Sequence, residues 1–116
     1  MRILGKQNDH AATDEQMRLM LEALGIYVKL AVDLERRILA GGGELHADCE
    51  QILLQDGSRQ VDVWGADWYP LQQTTGYESI INIRPGMNRS MLIQSPEVRT
   101  RIDQIAQSLL GGVAWR

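Results

Sequence analysis

Apolar positions recur at helical spacing near both ends of the chain and alternate with polar ones in between. Met17, Met20, Leu21 and Leu24 fall on one face of a helix. Thr13 and Gln16 precede that stripe as a capping box, and Asp14 and Glu15 suit the positive end of the helix dipole. Gly25 is placed to end the helix. Val28, Leu30, Val32 and Leu34 then alternate with Lys29, Asp33 and Glu35, which predicts a half-buried strand running to about Ala40. The glycines 41–43 follow as a tight reversal, since glycine reaches positive φ freely.

Residues 44–55 fit two periods. Leu45, Cys49, Ile52 and Leu53 make a helical face. Leu45, Ala47 and Cys49, then Ile52 and Leu54, make a strand with a bulge at Gln51. Asp56-Gly57 favours a two-residue hairpin, so the strand is preferred, with 59–69 returning as its partner. Pro70 ends that partner and "LQQTTG" reads as a loop. Strands are expected at 77–84 and 90–94, joined by a turn at Pro85-Gly86. A short strand is also read at 2–5. The last helix carries strong signals: Ser95 at the cap, Pro96 at the first position, Glu97 in the first turn. Val98, Ile102, Ile105 and Leu109 form its buried stripe, and Gly111-Gly112 ends it. Short turns between consecutive strands imply antiparallel pairing. The expectation is an α+β fold: a mainly antiparallel sheet of four to five strands, with an N-terminal and a C-terminal helix packed on one face.

Composition bounds this picture. A chain of 116 residues with 44% apolar content fits one globular domain. No apolar run approaches the roughly 20 residues of a membrane span. The start, "MRILGKQNDH", lacks a signal peptide's apolar centre. With Cys49 as the single cysteine, the expected compartment is a reducing cytoplasm. Net charge is −3, which disfavours nonspecific nucleic-acid binding. The charge is uneven: residues 44–78 hold seven acids against Arg59, and residues 80–116 hold five arginines against Glu97 and Asp103. That polarity leaves room for a small anionic ligand near the C-terminal half, or for self-association.

Three stretches carry candidate chemistry. In "GGGELHADCEQ", Glu44, His46, Asp48 and Glu50 share one face of a strand. His46 with Glu44 and Asp48 are the candidate catalytic residues, since imidazole and carboxylate suit acid–base work. The plain alternative is the wet face of a strand. No zinc spacing is matched, so no metal and no cofactor is assigned. Cys49 points inward on either period and reads as buried and inert. In "INIRPGMNRS", Arg84, Asn88 and Arg89 are candidate anion ligands, because guanidinium forks and turn amides grip carboxylates and phosphates. The alternative is that these arginines pair with the acids of 44–78, within the sheet or across a dimer. In "VWGADWYP", Trp64, Trp68 and Tyr69 are candidates for core packing or a homodimer contact, because Asp62 and Asp67 flank them where a nucleic-acid platform would carry bases. No dinucleotide or phosphate loop is present.

"VDLERRILAGGGELHAD", "QDGSRQVDVWGADWYP" and "ESIINIRPGMNRS" together resemble an uncharacterised bacterial family, a domain of unknown function of about this length. The resemblance spans about residues 28–110. It implies no activity, substrate, cofactor or functional residue. Two functional readings follow from the residues themselves. One is a cytoplasmic binding or interaction module, homodimeric. The other is a small-anion-binding or hydrolytic enzyme using Glu44, His46 and Asp48 with Arg84 and Arg89.

Overall fold

The structure, a computed structural model, describes residues 2–4 and 11–113. The first strand, β1, is Arg2–Leu4; residue 5 lies outside the described residues. The first helix, α1, is Asp14–Leu21, and its capping box forms as expected. Gln16 N–H donates to Thr13 Oγ1 at 3.1 Å, and Thr13 N–H donates to Gln16 Oε1 at 2.9 Å. Gly25, at φ +87°, returns its N–H to Leu21 O.

The single strand expected from 28 to 40 is two strands. β2, Val28–Asp33, turns back into β3, Ile38–Gly43. The reversal is made by Asp33, whose Oδ1 accepts from Glu35 N–H and Arg36 N–H, both at 2.9 Å, with Arg37 at φ +57°. The glycines therefore do not turn the chain. They lie in β3, where a Cβ on Gly42 would stand 2.9 Å from Met20 Cα. Their lack of side chains lets α1 sit directly on the strand.

The strand preferred for 44–55 is also corrected: this is a helix, α2, His46–Gln55. The helical period wins because Cys49 and Leu53 land on a floor of small side chains, Ala31 and Ala40, with Ile38 and Val63 beside them. Asp56-Gly57 ends the helix and makes no hairpin. Gly57 at φ +103° lets Ser58 N–H reach Leu53 O at 2.9 Å and its own N–H reach Leu54 O at 3.1 Å, a Schellman closure.

After a 3-10 turn at Gln60–Asp62 come β4, Val63–Tyr69, and a short β5, Thr74–Gly76. The strands expected at 77–84 and 90–94 do not form. That segment is an excursion with a 3-10 turn at Ile80–Asn82 and two isolated bridges, Glu78 to Leu92 and Arg84 to Asn88. The last helix, α3, is Pro96–Leu110, capped by Ser95 Oγ as expected.

The five strands form one antiparallel sheet in the order β1-β3-β2-β4-β5, so the α+β reading holds. Alternation sorts its two faces. Leu30 and Val32, with Trp64, Ala66 and Trp68, meet α1 and α3 in the larger core. Ala31 and Val63 meet α2 on the opposite face. The two terminal helices share a face, as expected; the middle one, read from sequence as a strand, covers the other. None of the described helices is long and apolar enough to cross a membrane.

Candidate functional site

His46 opens α2, and α2 lies over the end of β4. On β4 the alternation that sends Ala66 and Trp68 into the large core turns Asp67 toward α2. The result is a close pair: His46 Nε2 lies 2.8 Å from Asp67 Oδ1 and 3.0 Å from Ala66 O. Both side chains keep only 11% of their surface exposed. A backbone carbonyl can only accept, so Nε2 carries the proton. The neutral ring is then the Nε2–H tautomer, and Nδ1 holds a lone pair. No hydrogen bond among the described residues uses it.

The ring borders a cleft of about 290 Å³ between the start of α2 and the excursion. Lys29, opposite Asp67 across the β2–β4 pair, and Ser79 supply further polar groups. Leu45, Ile80 and Met91 supply apolar walls. Ser79 is buried; its Oγ accepts from Ile81 N–H at 3.3 Å.

Glu44 and Asp48 do not join His46. On a helix, successive even positions are rotated about 200° apart, so the face that a strand would have gathered is dispersed. Glu44 is exposed. Asp48 accepts Leu45 N–H at 3.2 Å, capping a helix whose N-cap residue has no side-chain oxygen. Among the described residues no group of three or more His, Cys, Asp or Glu is placed to hold a metal ion. Cys49 is fully buried and donates to Lys29 O at 3.4 Å; burial pushes its thiol up to about 11, which keeps it protonated and unreactive.

The "RPGMNRS" residues are dispersed as well. Arg84 stacks over Trp64, 4.3 Å from the ring centre, and donates from Nη1 to Val61 O at 2.9 Å. Its Nη2 is buried with no acceptor among the described residues. Burial lowers the guanidinium below its ordinary value, and the Glu50 and Asp62 carboxylates pull the other way. Asn88 is buried inside the excursion. Its Nδ2 donates to Ser90 O at 2.7 Å and Asn82 O at 3.0 Å, and its Oδ1 accepts from Gln94 N–H at 3.0 Å. That amide is fully committed to holding the loop. Arg89 is exposed. His46 lines one cleft, and Arg84 lines a second, of about 340 Å³, with Val61, Ile83 and Pro85; Ile80 and Ile81 of the 3-10 turn face one each.

Of the aromatic candidates, Trp64 and Trp68 are buried in the larger core, and Tyr69 stacks on Tyr27 at 5.4 Å. Sequence reasoning missed Asp67, Lys29 and Ser79 as neighbours of His46. It also missed the work of Asn82. This fully buried amide accepts Gly65 N–H at 2.8 Å and donates to Gly65 O at 2.9 Å, standing in for a strand beside β4.

Fold and site together define a class: an antiparallel sheet between helices, with an anchored histidine in a cleft beside a long excursion. Residues 7–109 match the model of a family described as a protein of unknown function (DUF5674), and the chain belongs to that family. No curated protein and no solved structure matches it.

Proposed function

We propose that this protein is a small interaction module that works as a cytoplasmic homodimer. The observation that carries the reading is where exposed apolar bulk collects. Of nine large hydrophobic residues exposed among those described, seven lie on or beside the excursion: Leu45, Val61, Ile80, Ile83, Met87, Met91 and Leu92. Together they present on the order of 600 Å² of accessible side chain, against about 800 Å² per partner in a standard interface. Exposed apolar surface gathered on one segment is a mark of contact sites.

The occupant is a second copy. Met87 stands out at the turn of the excursion, 54% exposed, beside the exposed Arg89. The Arg84 cleft next to it has apolar walls, Val61, Ile83 and Pro85, and two carboxylates in its field, Glu50 and Asp62. A knob beside a cation, and a groove whose own Arg84 is offset by the Glu50 and Asp62 carboxylates, are on the same molecule. A two-fold axis lets each copy insert Met87 into the other's groove and bring Arg89 to the partner's acids.

Light scattering across the micromolar range tests this. The expected result is a dimer that Met87→Glu weakens at least tenfold, about 1.4 kcal/mol, with an unchanged circular dichroism spectrum. Leu71→Glu, on an exposed apolar residue outside the excursion, should leave association intact. A strict monomer, or equal sensitivity to both variants, refutes it.

A further inference from the structure

We infer that the His46 cleft is a hydrolytic site in which the imidazole is the general base for attack of water on a small, neutral carboxylic ester. The inference does not rest on the dimer: the cleft and the groove that takes Met87 have no lining residue in common, although Leu45, Ile80 and Met91 belong both to the cleft and to the exposed apolar set.

A histidine pinned through one nitrogen is often only a satisfied structural group. Two features separate this one. Its partners, Asp67 and Ala66 O, are both at Nε2, so Nδ1 keeps its lone pair, with no acceptor role among the described residues. His46 also lines an open cleft together with Lys29 and Ser79. A carboxylate behind one nitrogen and a free lone pair on the other is the arrangement that makes imidazole an oriented base and stabilises the imidazolium it becomes.

The cleft's own charges choose the substrate. Among the described residues Lys29 is the one lining cation, while Glu78 lines the cleft too and Asp67 stands behind the ring. An anionic substrate meets two carboxylates against one ammonium, so a neutral one is favoured. Leu45, Ile80 and Met91 form an apolar wall suited to a short acyl chain. A volume of about 290 Å³ admits only a small molecule.

Water and the ester are the only reactants. Nδ1 takes a proton from water as the water oxygen bonds to the carbonyl carbon. The carbonyl π pair moves to its oxygen, and the oxyanion faces the Lys29 ammonium. Collapse breaks the bond to the alkoxy oxygen, which recovers the proton from Nδ1. Acid and alcohol leave, and the ring is neutral again. No hydrogen bond joins Ser79 Oγ to the ring, so water is the nucleophile and no acyl-enzyme forms.

The test is hydrolysis of 4-nitrophenyl butyrate by the full chain, against free imidazole at equal concentration. The expected result is turnover well above imidazole with no initial burst. His46→Gln should return the rate to background. Lys29→Met should lower kcat more than it changes KM. Asp67→Asn should lower the rate by about 10-fold or more. Nitrogen-15 spectra of the wild-type ring should show the Nε2–H tautomer, and Asp67→Asn should disturb that signature while leaving the fold intact. A rate no faster than imidazole, activity retained in His46→Gln, a burst matching the protein concentration, or an Nδ1–H ring would each overturn the inference.

Discussion

Asn82→Ala is the substitution through which the excursion can be tested most sharply. On the side of Gly65 away from β2, β5 stops short, and the Asn82 amide takes the place of a strand with one acceptor and one donor bond. It also lies 3.3 Å from Met91 O and 3.4 Å from Tyr77 O, tying both limbs of the excursion to the sheet. Truncation leaves the Gly65 N–H and C=O buried without partners. Each such group costs about 1–3 kcal/mol. Water entering the vacated space recovers part of that, so a loss of about 3 kcal/mol is expected. That is a large share of the roughly 5–15 kcal/mol that holds a domain together. Asn82→Asp adds a sign test. It keeps the acceptor for Gly65 N–H but turns the donor into an oxygen facing Gly65 O. Burial raises that carboxyl's folded value above the unfolded ~3.9. Its protonated form can donate, so the deficit should shrink as pH falls and grow as pH rises through the folded value. Urea denaturation followed by tryptophan fluorescence measures both variants, and hydrogen exchange at the Gly65 amide gives a local reading. An Asn82→Ala loss below about 1 kcal/mol, with the Gly65 amide still protected, would refute the reasoning.

Three further outcomes are expected. Gly65→Ala would place a Cβ 2.5 Å from Ser79 Cβ and 2.9 Å from Ile81 Cγ1, so it should cost about 1–3 kcal/mol by overpacking and raise proteolysis within 77–94. The Cys49 thiol is raised from 9.0 to about 11 in the folded chain, so the unfolded chain loses its proton first. Stability from this group is complete below pH 9 and falls as pH rises toward 11, by roughly 2–3 kcal/mol, and alkaline unfolding of Cys49→Ala should lack that slope. Arg36 joins the β2–β3 turn to the end of α2 through Asp56 at 2.7 Å and Ser58 Oγ at 2.8 Å. Both members of the ion pair are partly buried, so Arg36→Ala should cost about 1–2 kcal/mol in thermal unfolding and be only weakly salt-dependent.

What was legible in the sequence was what a few neighbouring residues decide. Thr13 with Gln16, and Ser95 with Pro96, act within one helical turn, and both caps form as the residues predict. What was misread depends on distant partners. Asp56-Gly57 announces a positive φ, and a hairpin and a Schellman closure both require one; the dipeptide does not say which. The glycine run looks like a turn until Met20 is placed against it. Residues 45–53 fit either period, and their state is set by the small floor of Ala31 and Ala40. The excursion reads as two strands because isoleucines at 80, 81 and 83 look like a strand. Two asparagine amides, Asn82 and Asn88, satisfy its backbone instead.

The same distinction governs the site. His46 stands out as a residue, but a strand's two-residue repeat would gather Glu44 and Asp48 beside it, and the segment is a helix. A helix makes His46 and Glu50 neighbours and releases Glu44 and Asp48. The carboxylate that holds the ring comes from 21 residues away. Its position follows from β4's alternation, which was readable: Trp64, Ala66 and Trp68 on one face require Asp67 on the other. The missing step was which element covers that second face. Once α2 is placed there, an aspartate among aromatics stops being a solubilising charge and becomes the group that orients a histidine. The surroundings of His46 are thus set by which face α2 covers, and that information lies in the alanines beneath it.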